Sequence, residues 1–325
     1  MTGAPALPVS RADVDAAAER LAPFVRRTPV LALGDDDPLL PGGVLKLEML
    51  QHTGTFKYRG MTNRLLSCEP GEAGVVVASG GNAGVAVAHA ARRLGVRAEV
   101  FVPETAPVAK VARLRAYGAV VVQTGASYAD AFAASAVRAT ETGAVVVHAY
   151  DQPEVVAGHG TLARELDEQA PGLDTVLVAV GGGGLVAGIA CWFAGRVRVV
   201  AVETEGCPTL HAALAAGRPV DVAVGGVAAD ALGATRVGEL CWAARAALAA
   251  SVLVPDEAVL AARRDLWDQA RLVTEPAGVA ALAALRCGAY RPAPGERVAV
   301  VLCGANTDPA TLAEPAMLGG PAPVG

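Results

Sequence analysis

The segment Thr175–Phe193, TVLVAVGGGGLVAGIACWF, decides how the rest of the chain is read. Thr175 to Val180 are β-branched or apolar without interruption, which suits a strand buried on both faces. Gly181-Gly182-Gly183-Gly184 follow, and then an apolar segment of helical spacing. Strand, glycine turn and helix in that order make the βα unit of a parallel sheet. The glycines also have a chemical use. Their N–H groups can converge on an anion at a helix N-terminus, where the dipole favours negative charge. A flexible turn with close helix–sheet packing is the plainer reading, but four glycines in succession favour the anion.

The same alternation extends in both directions. Upstream, Val75–Ala78 leads into Ser79-Gly80-Gly81-Asn82 and the helical AGVAVAHAARRLG. Glu99–Val102 precedes VAKVARLRAYG, Val120–Val122 precedes YADAFAASAVRATETG, and Val145–Val147 follows. After Pro153 come the helix EVVAGHGTLARELDEQ and, beyond the glycine loop, the strand VRVVAV, which ends at Glu203. Then come the strand SVLV, the helices DEAVLAARRDLWDQARLV and AGVAALAAL, and the strand VAVVL, which runs into Cys303-Gly304-Ala305-Asn306. Three loops, Ser79–Asn82, Gly181–Gly184 and Cys303–Asn306, thus stand at the carboxyl ends of strands. Open α/β sheets bind ligands in that crevice, so the three loops point to one site.

Composition narrows the function classes. With 53% hydrophobic and 18% charged residues the 325-residue chain can bury a large core, and with only 4% aromatics that core must be Ala, Val and Leu. Net charge is −5 and no basic run exceeds a pair such as Arg26-Arg27, which argues against nucleic acid as a partner. No basic-then-apolar leader opens the chain and no apolar run approaches a membrane span, so the expected location is the cytoplasm. The six cysteines form no C-x-x-C, and the five histidines show no ligand spacing. No G-x-S-x-G is present, so a hydrolase triad is unsupported. The terminal GGPAPVG reads as a frayed end.

Lysine is scarce: Lys46, Lys57 and Lys110 are the only three, and arginine supplies the other positive charges. A retained lysine invites a reason that a guanidinium cannot satisfy, because an amine can lose its proton and attack a carbonyl. Lys57 lies in HTGTFKYRG, residues 52–60, after an aromatic ring and between two glycines. Two anions compete for the glycine loop. Gly182–Ala187 satisfies G-x-G-x-x-A, with Glu203 about 20 residues on, the pattern of a dinucleotide fold. That reading leaves Lys57 unexplained. The alternative is one phosphate on a small cofactor whose other end a lysine holds covalently.

TGTFKYRG resembles the S-F-K-x-R-G signature of fold-type II pyridoxal-phosphate enzymes. ASGGNAGVAVAHAARRLG is similar to the substrate loop and helix of the serine/threonine dehydratases, and VGGGGL to their phosphate loop. ETEGCPTLHAALAAG, GVAADALGATRVGE, LVTEPAGVAALAAL and VVLCGAN resemble later blocks, in family order, from Arg27 to Asn306. The serine dehydratase branch is the nearest match. The resemblance implies an α/β fold of two open, mostly parallel twisted sheets with helices on both faces, like the tryptophan synthase β subunit. It implies a large cofactor-binding domain of residues 1–64 and 151–325 and a small substrate-loop domain of residues 65–150.

It also implies roles. Lys57 would hold pyridoxal 5'-phosphate and, once freed, act as base on the substrate α-proton. Phe56 would stack on one face of the ring and Ala231 close the other. Gly181, Gly182, Gly183 and Gly184 would hold the phosphate. Ser79, Gly80, Gly81 and Asn82 would hold the substrate carboxylate, with Asn82 also on the cofactor 3-hydroxyl; helix capping by Ser79 or Asn82 is the plainer alternative. Related serine racemases carry a serine acid/base where Gly80 stands, so glycine favours elimination. Cys303 would lie near the pyridine nitrogen, although a buried inert thiol is as good a reading of its chemistry. Glu203 would belong to a cation site. The second acid of the divalent-binding relatives is Thr209 here, which leaves at most a potassium-like monovalent ion. The expected activity is loss of the β-hydroxyl from L-serine, L-threonine or a related amino acid, with β-replacement or racemisation as alternatives and a homodimer as the assembly. No C-terminal regulatory domain follows the last loop, so feedback by isoleucine is not expected.

Overall fold

The computed structural model describes residues 7–312. The frayed end expected at the C-terminus lies outside them. Ten strands occur among the described residues: β1 (Val30–Ala32), β2 (Val44–Lys46), β3 (Val75–Ala78), β4 (Ala98–Val102), β5 (Val120–Gln123), β6 (Val145–Val146), β7 (Thr175–Ala179), β8 (Arg198–Thr204), β9 (Ala250–Val254) and β10 (Val298–Val301). They form two sheets, of order β1-β2-β10-β7-β8-β9 and β5-β4-β3-β6. Every pairing is parallel except β1 with β2. The α/β architecture of two mostly parallel sheets is the expected one.

The valine-rich runs explain the central strands. β3, β4, β7 and β10 are buried along their whole length, because helices cover both faces and no polar alternation is needed. The large-sheet core is almost entirely Val, Ala and Leu, with Phe193 and Trp192 among its few aromatic members. β5 departs from the expectation of burial on both faces. It is the edge of the small sheet, and Val120 is 45% exposed. A second departure is the helix read through Val273, which stops at Ala270. Arg271 takes a left-handed φ of 56° and its N–H closes on Trp267 O, ending the helix before the apolar spacing runs out. β1 and β2, three residues each, are too short to leave a periodic signal in the sequence.

A buried ionic cluster fixes the segment that carries Lys57. Arg59 donates to Glu48 Oε1 at 2.6 Å and to Glu165 Oε2 at 2.9 Å. Lys46, on β2, donates to Glu165 Oε1 at 2.5 Å and to Thr28 O at 2.7 Å. Burial pulls Lys46 below the ordinary lysine value, and the Glu165 carboxylate works against that pull. These four charged side chains tie the helix Lys57–Leu66 to β2 and to the helix Pro153–Gln169. No described helix is long and apolar enough to cross a membrane.

Candidate active site

The lysine segment is held by the last loop of the large sheet. Phe56 N donates to Cys303 O at 3.1 Å, Ala305 N donates to Gly54 O at 2.9 Å, and Thr55 bridges Gly304. Residues 54–56 therefore run antiparallel to 303–305, and Lys57 opens its helix at the carboxyl end of β10. Its Nζ donates to Ala149 O at 2.7 Å. Burial brings the amine down to about 8, although nearby Cys303 opposes the shift.

One cavity is lined by Phe56, Lys57, Asn82, Gly181–Gly184, Ala231 and Cys303, and also by Glu275. The three loops read from the sequence thus meet. In the glycine loop, side chains have no room at two positions. A Cβ on Gly182 would lie 2.4 Å from the Tyr150 ring, and one on Gly183, at φ +89°, would lie 2.4 Å from Cys241 Sγ. Gly184 begins the helix Gly184–Phe193, whose first N–H groups have no partner within the helix.

Asn82 begins the helix Asn82–Leu94 and sits at the centre of a chain of hydrogen bonds. Its Nδ2 donates to Glu275 Oε1 at 2.8 Å, Asn306 Nδ2 donates to its Oδ1 at 2.6 Å, and Arg113 donates to Asn306 Oδ1 at 2.5 Å. Ser79, Gly80 and Gly81 precede it, off the cavity wall, with Gly81 N donating to Ser79 Oγ at 3.3 Å. Gly80 is not forced by packing, since a Cβ there would meet only Val102 Cγ1, at 3.4 Å. Cys303 is buried, its Sγ 3.7 Å from Ala277 O, and burial pushes the thiol up to about 12, so it is neutral.

Glu203 is not on the cavity wall. Both its oxygens serve the N-terminus of the helix Thr209–Ala216, accepting from Leu210 N at 2.7 Å, Thr209 Oγ1 at 3.1 Å and His211 N at 2.8 Å. Burial pushes it up to about 7 despite these donors. Among the described residues no group of three or more His, Cys, Asp or Glu is arranged to hold a metal.

Glu275 was not singled out from the sequence. It is 6% exposed, caps the helix Pro276–Arg286 by position, and is pushed up to about 7 by burial, with Asn82 and the Arg113 charge pulling the other way. A lone acid between a strand-like run and a Pro-initiated apolar helix, TEPAGVAAL, was the available signal. The Ala149 carbonyl and the Tyr150 ring were also missed, since neither backbone carbonyls nor ring contacts leave a mark in sequence.

These residues fit pyridoxal phosphate. A lysine amine near neutrality shares a wall with a loop whose side chains are excluded and whose helix N-terminus is open to an anion. The comparisons agree. The profile for "Pyridoxal-phosphate dependent enzyme" matches residues 21–304, and the chain belongs to that family. A phenylserine dehydratase of Ralstonia pickettii is 41% identical over 311 residues, 92% of this chain and 94% of that one. A biosynthetic L-threonine dehydratase of Mycobacterium leprae is 40% identical over 315 residues, 93% of this chain and 73% of that one. Among solved structures, maize serine racemase has a TM-score of 0.88 at 30% identity, covering 94% of this chain and 96% of that one.

Proposed function

We propose that the protein is a pyridoxal-phosphate-dependent ammonia-lyase that removes the β-hydroxyl of L-serine, L-threonine or a related β-hydroxy amino acid and yields a 2-oxo acid and ammonia. The observation that carries this reading is the position of Lys57, whose buried amine shares one cavity with the Gly181–Gly184 loop and Asn82. Named relatives act on threonine and phenylserine, which share the β-hydroxyl and differ in the β-substituent.

Bound pyridoxal phosphate would supply an electron sink for the substrate α-carbon. Gly181–Gly184 would hold its phosphate, Phe56 and Ala231 its two faces, and the neutral Cys303 thiol its ring nitrogen. Ser79–Asn82 would orient the substrate carboxylate at the helix N-terminus, with the Asn82 amide fixed by Glu275 and Asn306. Lys57 Nζ, with its value near 8, is about one-tenth neutral at pH 7 and can take the α-proton. Glu275 can hold or release a carboxyl proton near neutral pH. Gly80 offers no side-chain proton, and space exists for one, which favours elimination over racemisation. Glu203, already engaged by three donors, acts here as a helix cap, and a monovalent ion would have to compete with them.

Residues 65–150, which contain the four strands of the small sheet, would form the substrate-loop domain, and residues 1–64 with 151–325 the cofactor domain. A cytoplasmic homodimer completes the reading, and light scattering would test the assembly. The central test is the visible spectrum of the purified protein, 2-oxo acid release from L-serine and L-threonine, and the same assays on Lys57→Ala. A yellow protein that turns over these substrates, with colour and turnover lost together in the variant, is expected. A protein that stays colourless with added pyridoxal phosphate would overturn it.

A further inference from the structure

Beside Lys57, next to the residues that line the cavity, stands a wall of aromatic rings. Ala149, whose carbonyl holds Lys57 Nζ, stands between His148 and Tyr150, with ring centroids 4.6 Å apart and planes at 80°. The Phe132 ring lies 6.2 Å from His148 at 84°, and Tyr128 lies 6.2 Å from Phe132 at 27°. Tyr128 and Phe132 stand four residues apart at the start of the helix Tyr128–Thr142, on one face. They are 53% and 40% exposed. The chain has only five tyrosines and five phenylalanines, and three of these ten rings stand on this one wall.

The wall adjoins the cavity through lining residues without itself lining it. Tyr150 packs on Gly182 at one end, and Tyr128 meets solvent at the other. Two of its polar atoms are already used. Tyr150 Oη donates to Arg236 O at 3.2 Å, and His148 Nδ1 accepts from Asp151 N at 3.0 Å. The rings therefore offer faces and edges to a ligand.

We propose that Tyr128, Phe132, His148 and Tyr150 form the subsite for the substrate's β-substituent, and that the enzyme favours β-hydroxy amino acids bearing an aromatic ring at the β-carbon over serine and threonine. This rests on the lyase reading above. A hydrogen or methyl group at the β-carbon leaves Tyr128 and Phe132 in water, whereas an aryl ring covers them and meets them edge-to-face or offset. The reaction balances without an oxidant. The α C–H and β C–O bonds break, the hydroxyl leaves as water, and water returns when the released enamine hydrolyses to the aryl 2-oxo acid and ammonia.

The test is kcat/KM of the holoenzyme for L-threo-3-phenylserine, L-threonine and L-serine, followed by 2-oxo acid release, for the native chain, Tyr128→Ala and Phe132→Ala. Phenylserine should be the best substrate, and each substitution should lower the ratio of its kcat/KM to that of threonine about tenfold. Tyr128→Phe, which keeps the ring, should restore the ratio. A ratio unmoved by either alanine variant overturns the subsite, because a merely structural role lowers all three substrates together. Turnover of serine and threonine without phenylserine also overturns the subsite and leaves the lyase reading standing. Turnover of none of the three overturns both.

Discussion

Glu275→Gln should convert a pH-dependent stability into one less dependent on pH, by an amount the structure sets. Glu275 is buried against Gly304 and Asn82, and burial pushes it from 4.5 to about 7. The folded state thus favours the protonated acid. The favourable contribution is fully present below pH 4.5 and is lost as pH rises through 7. At about 1.4 kcal/mol per tenfold change in acidity, the whole loss is roughly 3 kcal/mol, most of it between about pH 5 and pH 8. Gln keeps an oxygen that can accept from Asn82 Nδ2 but cannot ionise. Any cost of its new amide is the same at every pH. Glu203, also pushed to about 7, titrates in both proteins and cancels in the comparison. At about 2.1 cal/mol/K per residue over a chain of this length, roughly 3 kcal/mol corresponds to about 4 °C. The assay is thermal unfolding of cofactor-free protein at pH 5 and pH 8, so that cofactor binding adds no linkage. The variant should gain about 4 °C on the native chain in going from pH 5 to pH 8. A difference that does not change with pH would refute the reasoning.

Two further outcomes follow from packing and charge. Gly182→Ala places a Cβ 2.4 Å from the Tyr150 ring, an overlap that costs about 1–3 kcal/mol and should weaken pyridoxal phosphate binding roughly tenfold in an absorbance titration; unchanged affinity would contradict the loop's role. Arg59→Ala leaves the buried carboxylates of Glu48 and Glu165 without their shared cation, a loss of about 3–5 kcal/mol that denaturant unfolding should report; a change under about 1 kcal/mol would mean the cluster is wetter than its burial indicates.

The sequence was most legible where burial imposes a simple pattern. Val75–Ala78 and Thr175–Ala179 are strands because each is β-branched or apolar for its whole length, and each feeds a loop on the cavity or beside it. Lys57 was legible because the chain has so few lysines. The other two have structural partners: Lys46 in the buried cluster and Lys110 with Asp230. What stayed hidden depends on contacts across long stretches of chain. Glu275 meets Asn82 from 193 residues away, and no local pattern announces that pair. The aromatic wall draws on two segments, 128–132 and 148–150, each ordinary alone. The end of the helix at Ala270 hangs on one left-handed residue, Arg271, of a type that gives no warning of it.

β10 is the last strand among the described residues, yet it lies between β2 and β7. During synthesis every other described strand leaves the ribosome before it. Until Val298–Val301 arrive, β2 and β7 cannot join, and each presents a bare parallel edge. The two residues that brace Lys57 and Asn82 from that side, Cys303 and Asn306, follow only a few positions later. On the proposed site, cofactor capture would be a late event in the life of the nascent chain. Stalling or truncation shortly before Val298 would leave a half-zipped sheet with two exposed edges and an incomplete cofactor site.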